Sequence, residues 1–457
     1  MSKTMITDLT TGNVTKLLLK FAFPLFLSNA LQAIYNIVDM IIVGQCLGGV
    51  GMSAVSIGGD ILHLLSFIAM GFSSAGQVLI SQDVGAKNFD RVKRTIGTMF
   101  TFLLIASIFM SVVCFLIRYP LLGWLNTPAE SFDFTMDYTI TCIVGLVFIY
   151  GYNIVSAILR GMGDSKRPFV FIAIAAIMNL ILDIVFVAYL DMKVFGAALA
   201  TVIGQGFSFV VSLIYLYNKK ELFCFDFKLK SFAIEKNAFK RIVALGVPMA
   251  IQAAAINLSK IVLMAWINSF GVVYSALAGI YNKINMMIAI VSNSFTTAGS
   301  AMVGQNLGAK KYKRIPSILG TVAVCGTVVS LAVTVLMILY PDQIFAAFTT
   351  DTMVLTTAGI LVAPTILNFF GSATRSISFS LINGSGNTKL NLAIAIIDGV
   401  ISRVGIAALL GFALHMDCLG FWYGDALAGF MPIVIGICFY ISGKWKTNET
   451  PASKTDN

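Results

Sequence analysis

The chain has 457 residues, of which 58% are hydrophobic and 11% charged, with a formal net charge of +10 at pH 7. A soluble domain carries roughly 25% charged residues, so this composition excludes a water-soluble globular fold and indicates an all-α integral membrane protein. The excess positive charge lies in short loops between apolar runs, which is the positive-inside pattern and argues against nucleic acid as a partner.

A bilayer-spanning helix needs about 20 predominantly apolar residues. The first such run, 17–43, is too long for the core of a cleaved signal and has no small-residue cleavage site, so it reads as span one. Five more follow at 52–80, 95–118, 136–159, 168–190 and 195–217. The segment 218–241 is charged and reads as a flexible cytoplasmic linker. A second set of six lies at 242–268, 276–304, 317–340, 354–383, 390–414 and 418–442. Two six-helix lobes result, 1–217 and 242–446, with a polar tail at 447–457 expected to be disordered.

Loops after the even-numbered spans hold the bases, among them Lys87, Arg91, Lys93 and Arg94, then Lys166 and Arg167, then Lys310, Lys311, Lys313 and Arg314. The opposite loops hold mostly acids, including Glu130, Asp133, Asp342 and Asp351. Both termini are therefore expected in the cytoplasm. Trp124 and Trp445 lie near span ends, as interfacial belt residues do. Cys46, Cys114, Cys142, Cys224, Cys325, Cys418 and Cys438 are scattered without a C-x-x-C pair, so they read as packing residues.

The chain repeats itself. ISQDVGAKNFDRVKRTIGT at 80–98 matches VGQNLGAKKYKRIPSILGT at 303–321, an offset of 223. RGMGDSKRP at 160–168 matches NGSGNTKLN at 383–391 at the same offset. Pro24 in span one corresponds to Pro248 in span seven. Six spans per copy is an even number, so the lobes are expected to be related by an axis along the membrane normal, facing a central cavity. Neither Gly-Ala-Lys turn carries the GxxxxGK[ST] pattern, which argues against ATP binding. The glycines read as turn residues and the lysines as headgroup anchors.

Charges inside apolar spans cost about 2.5–3.5 kcal/mol each on insertion scales, so each is a functional candidate. Asp39 lies in span one. Asn179 and Asp183, four apart in span five, share a helix face. Thr201 lies in span six, with Gln205 one turn on. Asp39, Asn179, Asp183 and Thr201 supply the oxygen ligands a hard cation such as Na⁺ takes, and the same carboxylates can instead take a proton. Asp60 and His63 in span two read as satisfied polar residues near the outer mouth. The second lobe differs: Asp183 aligns with Arg403 and Asp60 with Lys283, while Lys260 and Arg375 add bases and Asp398 and Asp425 acids. These six form either a polar cavity wall or a set of ion pairs.

Taken together these stretches resemble the MATE (multidrug and toxic compound extrusion) family of bacterial transporters. The resemblance rests on Pro24, on Asp39 ahead of Val43-Gly44, and on Gln82-x-x-Gly85-Ala86. It continues through Leu159-Arg160-Gly161-Met162-Gly163-Asp164, Asn179-x-x-x-Asp183 and Gly196-Ala197-Ala198-Leu199-Ala200-Thr201. It implies a V-shaped twelve-helix fold exporting organic, mostly cationic or amphipathic compounds against H⁺ or Na⁺, with no cofactor. Ion coupling would fall on Asp39, Asn179, Asp183 and Thr201, and span one would bend near Pro24. Other members use an acid in span seven; here that span carries Lys260 instead, which favours the first lobe. The expected working form is a monomer in the bilayer acting on small organic molecules. Methionines such as Met178, Met264, Met286 and Met287 suit an adaptable cavity wall. The main alternative is a flippase for lipid-linked precursors or anionic metabolites, drawing on the second-lobe bases. A static scaffold leaves the buried charges unexplained, a channel lacks a pore-loop signature, and a membrane enzyme lacks a nucleophile–histidine or metal cluster.

Overall fold

The computed structural model describes residues 7–446 except 126, 222 and 224, and is helical throughout, with no strand among the described residues. The expected tail at 447–457 and Cys224 lie outside the described residues. Helices α1 (14–47) and α2 (49–85) form one helical run, Val14–Gly85, interrupted only at Gly48. That residue has φ 63° and ψ −155°, a conformation essentially reserved for glycine, so a single residue replaces the loop expected between spans one and two. The first set continues with α3 (Phe89–Leu116), α4 (Phe132–Gly161), α5 (Lys166–Asp183, prolonged by a π-turn at Ile184–Tyr189) and α6 (Lys193–Asn218). The second comprises α7 (Lys236–Asn268), α8 (Val272–Gly308), α9 (Ile315–Leu339) and α10 (Val362–Ser385). It ends with α11 (Thr388–Ile396, a π-turn at Ile397–Ser402, then Arg403–Ala408) and α12 (Asp417–Ala428 and Met431–Ile441). Large apolar side chains point outward along these helices, Phe109 and Leu116 on α3 and Leu336 and Ile338 on α9 among them, as lipid-facing helices require.

The helices group into two compact units, one of residues up to Asp8 plus Pro24–Gly246, the other of Leu9–Phe23 plus the chain from Val247 onward. This differs from a cut at residue 217 in two places. Leu9–Phe23 belongs to the second unit: the Leu9 amide donates to Gln305 Oε1 at 3.0 Å, and Asn306 and Lys311 donate to the Leu9 and Thr10 carbonyls. The stretch 218–241 is not a free tether. Phe225, Phe227 and Phe232 pack on one another, with Phe225 and Phe232 also against Phe100 of α3, and Lys93 pairs with Asp226 at 2.8 Å. The composition of that stretch hid this, because its phenylalanines are spaced among lysines that stay in water.

The repeated glycines do two different jobs in both copies. A Cβ on Gly161 would lie 2.9 Å from the Gln77 carbonyl oxygen, and one on Gly384 would lie 2.8 Å from that of Ser300, so α4 on α2 and α10 on α8 approach equally closely. Gly163 and Gly386 instead take φ 83° and 71° and turn the chain into the next helix. At the Gly-Ala-Lys turns the left-handed residue is not the glycine: Lys87 and Lys310 both have φ 57°, while Gly85 and Gly308 are the last helical residues. Of the two tryptophans expected at the interface, Trp124 is exposed, whereas Trp445 is buried and stacked on Tyr440.

Candidate functional site

The first unit gathers Asp39, Asn179, Asp183 and Thr201 into one place. Asp39 comes from α1, Asn179 and Asp183 from one face of α5, and Thr201 from α6. The approach of α6 depends on Gly204, where a Cβ would sit 3.0 Å from the Ala175 carbonyl oxygen and 3.3 Å from Asn179 Cβ. That closeness lets Asn179 Nδ2 donate to Thr201 Oγ1 at 3.4 Å. Asp183 is the last residue before the π-turn of α5, and such turns recur at functional sites. Around them lies an apolar shell that includes Val43, Tyr138, Cys142, Val187, Ala197 and Ala198.

The carboxyl groups of Asp39 and Asp183 are neighbours and are 6% and 1% exposed. Oδ1 of Asp39 and both carboxyl oxygens of Asp183 meet no donor. Six acids are buried among the described residues: Asp39, Asp83, Asp164, Asp183, Asp398 and Asp425. Four of them pair with arginine: Asp83 with Arg241 at 3.2 Å, Asp164 with Arg167 at 2.6 Å, Asp398 with Arg375 at 3.0 Å, and Asp425 with Arg403. Asp39 and Asp183 pair with no arginine or lysine among the described residues. A buried carboxylate without a positive partner is held at a cost of several kcal/mol, and two side by side add mutual repulsion. A proton shared between the pair, or a small cation among the carboxyl oxygens of the pair, relieves both terms. Three or more His, Cys, Asp or Glu side chains do not converge anywhere among the described residues, so the oxygen set here is two carboxylates, an amide and a hydroxyl.

Sequence reading missed two neighbours. Tyr35 lies one helical turn before Asp39, and its hydroxyl accepts from Gln32 Nε2 at 3.5 Å. Tyr138 on α4 lies in the field of both carboxylates, seated against Gly58, where a Cβ would come within 2.3 Å of its ring. The four-residue spacing of Tyr35 and Asp39 was the available signal; nothing local marks Tyr138.

The corresponding region of the second unit is an ion-pair network. Asp398 accepts from Arg375 at 3.0 Å and lies 3.6 Å from Arg403, which also pairs with Asp425; the Tyr281 hydroxyl donates to Asp425 Oδ2 at 3.1 Å. Lys260 on α7 adjoins this network and forms no ion pair among the described residues. Lys283 is exposed and stands outside it, contrary to its grouping with the other bases, because it follows Tyr281 by two residues and so points to another side of α8. Asp60 and His63 are exposed on α2 and take no part in the first-unit site. Met286 and Met287 are exposed, and Met178 and Met264 half-buried.

The chain matches the MatE family model twice, over residues 24–185 and 248–411, each match opening on one of the paired prolines or directly at it. It is 27% identical to "Probable multidrug resistance protein YoeA" of Bacillus subtilis (strain 168), over 94% of each chain. It is 31% identical to "Probable multidrug resistance protein YpnP" of the same organism, over 67% of this chain and 68% of the other. A solved outward-facing multidrug resistance MATE family transporter of the MOP superfamily aligns with a TM-score of 0.90 at 18% identity, covering 98% of this chain and 100% of that one. At that identity the likeness shows the fold.

Proposed function

From the premise that this chain belongs to the MatE family of multidrug efflux transporters, and is a multi-pass membrane protein rather than an enzyme, we propose that it is a secondary exporter. It drives organic, mostly cationic or amphipathic compounds outward against an inward flow of H⁺ or Na⁺. The observation that carries the coupling is the pair Asp39 and Asp183, the two buried acids among the described residues that no arginine neutralises. Binding of the ion removes one negative charge from the pair, ends the repulsion between the two carboxylates and changes how α1 packs against α5 and α6. Asn179 and Thr201 orient the site by their mutual hydrogen bond and add neutral oxygens when the ion is Na⁺. Pro24 is the hinge. It lacks an amide hydrogen and weakens α1 at the residue where this helix passes from the second unit to the first. A rearranged α1 then exposes the substrate path to the opposite side of the membrane. One charge crossing about 100 mV supplies roughly 2.3 kcal/mol, somewhat more than a tenfold concentration ratio.

The location is a bacterial inner membrane with both termini cytoplasmic, on the charge alternation of the loops. The protein works as a monomer without a cofactor. A drug-sensitive bacterial host carrying the chain should resist ethidium, and Asp39→Asn or Asp183→Asn should each remove that resistance at equal expression. Resistance that survives both substitutions contradicts the assignment.

A further inference from the structure

Residues 14–23 of α1 belong to the second unit and the rest of the helix to the first, while residues 236–246 of α7 belong to the first unit and the rest to the second. Each of these two helices therefore begins outside the unit that holds the remainder of its copy. In both copies the chain entering the helix is tied down beside the same turn. In the second unit Gln305 and Asn306 stand in the last turn of α8, Lys310 takes φ 57°, and the Lys311 amide returns to the Asn306 carbonyl at 2.8 Å. That turn holds Leu9–Gly12. The Leu9 amide donates to Gln305 Oε1 at 3.0 Å, and Asn306 Nδ2 donates to the Leu9 carbonyl at 3.1 Å. Lys311 Nζ donates to the Thr10 carbonyl at 3.0 Å and to its hydroxyl at 2.9 Å, and Arg314 donates to the Gly12 carbonyl at 3.0 Å. Leu9, Thr10, Gln305 and Asn306 are buried. The Thr7 amide donates instead to the Met162 carbonyl of the first unit, so the anchor on the second unit starts at Leu9. In the first unit Lys87 also takes φ 57° and the Asn88 amide returns to the Asp83 carbonyl at 2.9 Å. There Asp83 pairs with Arg241 at 3.2 Å, and Thr98 Oγ1 accepts from the Glu235 amide at 3.1 Å, which fixes the start of α7. The two copies share the anchoring but not the residues that perform it.

Asp39 lies about 38 Å along α1 from Val14, at about 1.5 Å per residue. A rigid helix carries a movement from one end to the other only when its far end is held; a loose end swings and absorbs it. We propose that Leu9–Gly12 is the fixed end of α1, and that Asn306 and Lys311 are positioning residues through which ion binding at Asp39 and Asp183 is felt in the second unit. The inference rests on the exporter reading of that acid pair and adds the residues that transmit its occupancy.

Of the four tryptophans, Trp266, Trp422 and Trp445 lie in the second unit and Trp124 in the first, so emission from Trp124→Phe protein reports the second unit alone. Full-length Trp124→Phe protein in detergent serves as the parent and is titrated with Na⁺ at fixed pH and, separately, with acid. Sodium binding is read by dialysis against radioactive sodium, and proton binding by potentiometric titration relative to the Asp39→Asn variant of the parent. The ion that binds should change the emission of the parent and leave that of Asp39→Asn unchanged. Lys311→Met should bind the ion with an affinity within about twofold of the parent, yet show an emission change at least about threefold smaller. Lys311→Arg should keep at least about half of the change, and Lys313→Met, at an exposed neighbour, all of it. Retained ion binding shows that Lys311→Met is folded, so a smaller emission change there reports transmission. Where Lys311→Met does not fold, Arg314→Met, which releases Gly12 alone, gives the same comparison and should also reduce the change. A full emission change in the strap variants, or ion binding by the parent with no change at all, would overturn the proposal and leave the exporter reading standing. A folded Lys311→Met that no longer binds the ion would place the strap's effect in the site itself and would also overturn it. A parent that binds neither ion removes the exporter reading, and the proposal with it.

Discussion

Replacing Arg403 by methionine tests whether the second-unit charges hold the fold. Arg403 is 1% exposed on its side chain and serves two carboxylates, Asp425 directly and Asp398 at 3.6 Å. Methionine keeps the length and the apolar stem and removes the charge. Asp398 retains Arg375 at 3.0 Å, but Asp425 retains only the Tyr281 hydroxyl at 3.1 Å. Removing one partner of a buried pair costs about 3–5 kcal/mol, because the remaining charge is left uncompensated. For a cooperative unit of roughly 150–250 residues, each kcal/mol shifts the midpoint by about 2–4 °C, so a fall of about 6–20 °C is expected. Intrinsic tryptophan fluorescence on heating the detergent-solubilised protein reads it, since Trp422 packs beside Tyr281. The double variant Arg403→Met with Asp425→Asn should regain part of the loss, because the stranded carboxylate is gone. A midpoint for Arg403→Met within about 2 °C of the unmodified protein would refute the reasoning.

Gly161→Val should destabilise the first unit by about 1–3 kcal/mol, since its side chain would enter the space of the Gln77 carbonyl, and Gly384→Val should do the same to the second; thermal unfolding checks both. Gly204→Ala should separate α6 from α5 and reduce ion-driven efflux more than expression, as seen in vesicle transport normalised to protein. Lys93 and Ser231 hold the Asp226 carboxyl below the ordinary carboxylate range. A depressed carboxyl contributes above its unfolded pKa and loses that contribution only as pH falls through the folded one. Protease resistance of the 219–235 stretch should therefore be unchanged between about pH 5 and pH 8, while Lys93→Met should lower it at both.

Much of the first-unit site was legible because its residues break a strong pattern: acids in apolar runs, and Asn179 with Asp183 at helical spacing. The partners of those acids were not legible. Asp398 and Arg403 are five apart, which on an α-helix places them about 140° from each other. The π-turn at Ile397–Ser402 winds i→i+5 and brings them together, and no residue type announces it. Likewise Leu9–Phe23 reads as an ordinary start to span one, yet its hydrogen bonds go to residues nearly 300 positions away. The repeated glycines were visible as a motif, while their division into close packing at Gly161 and chain reversal at Gly163 needed the neighbouring helix and the backbone angles.

The central claim is that Asp39 and Asp183 together convert an ion gradient into export. Dye efflux from proteoliposomes, with a sodium gradient and a pH gradient imposed separately, tests it most directly. One of the two gradients should drive efflux by the unmodified protein, and neither should do so for Asp39→Asn or Asp183→Asn reconstituted at the same density. Efflux indifferent to both gradients, or equally driven in the two variants, would contradict the account.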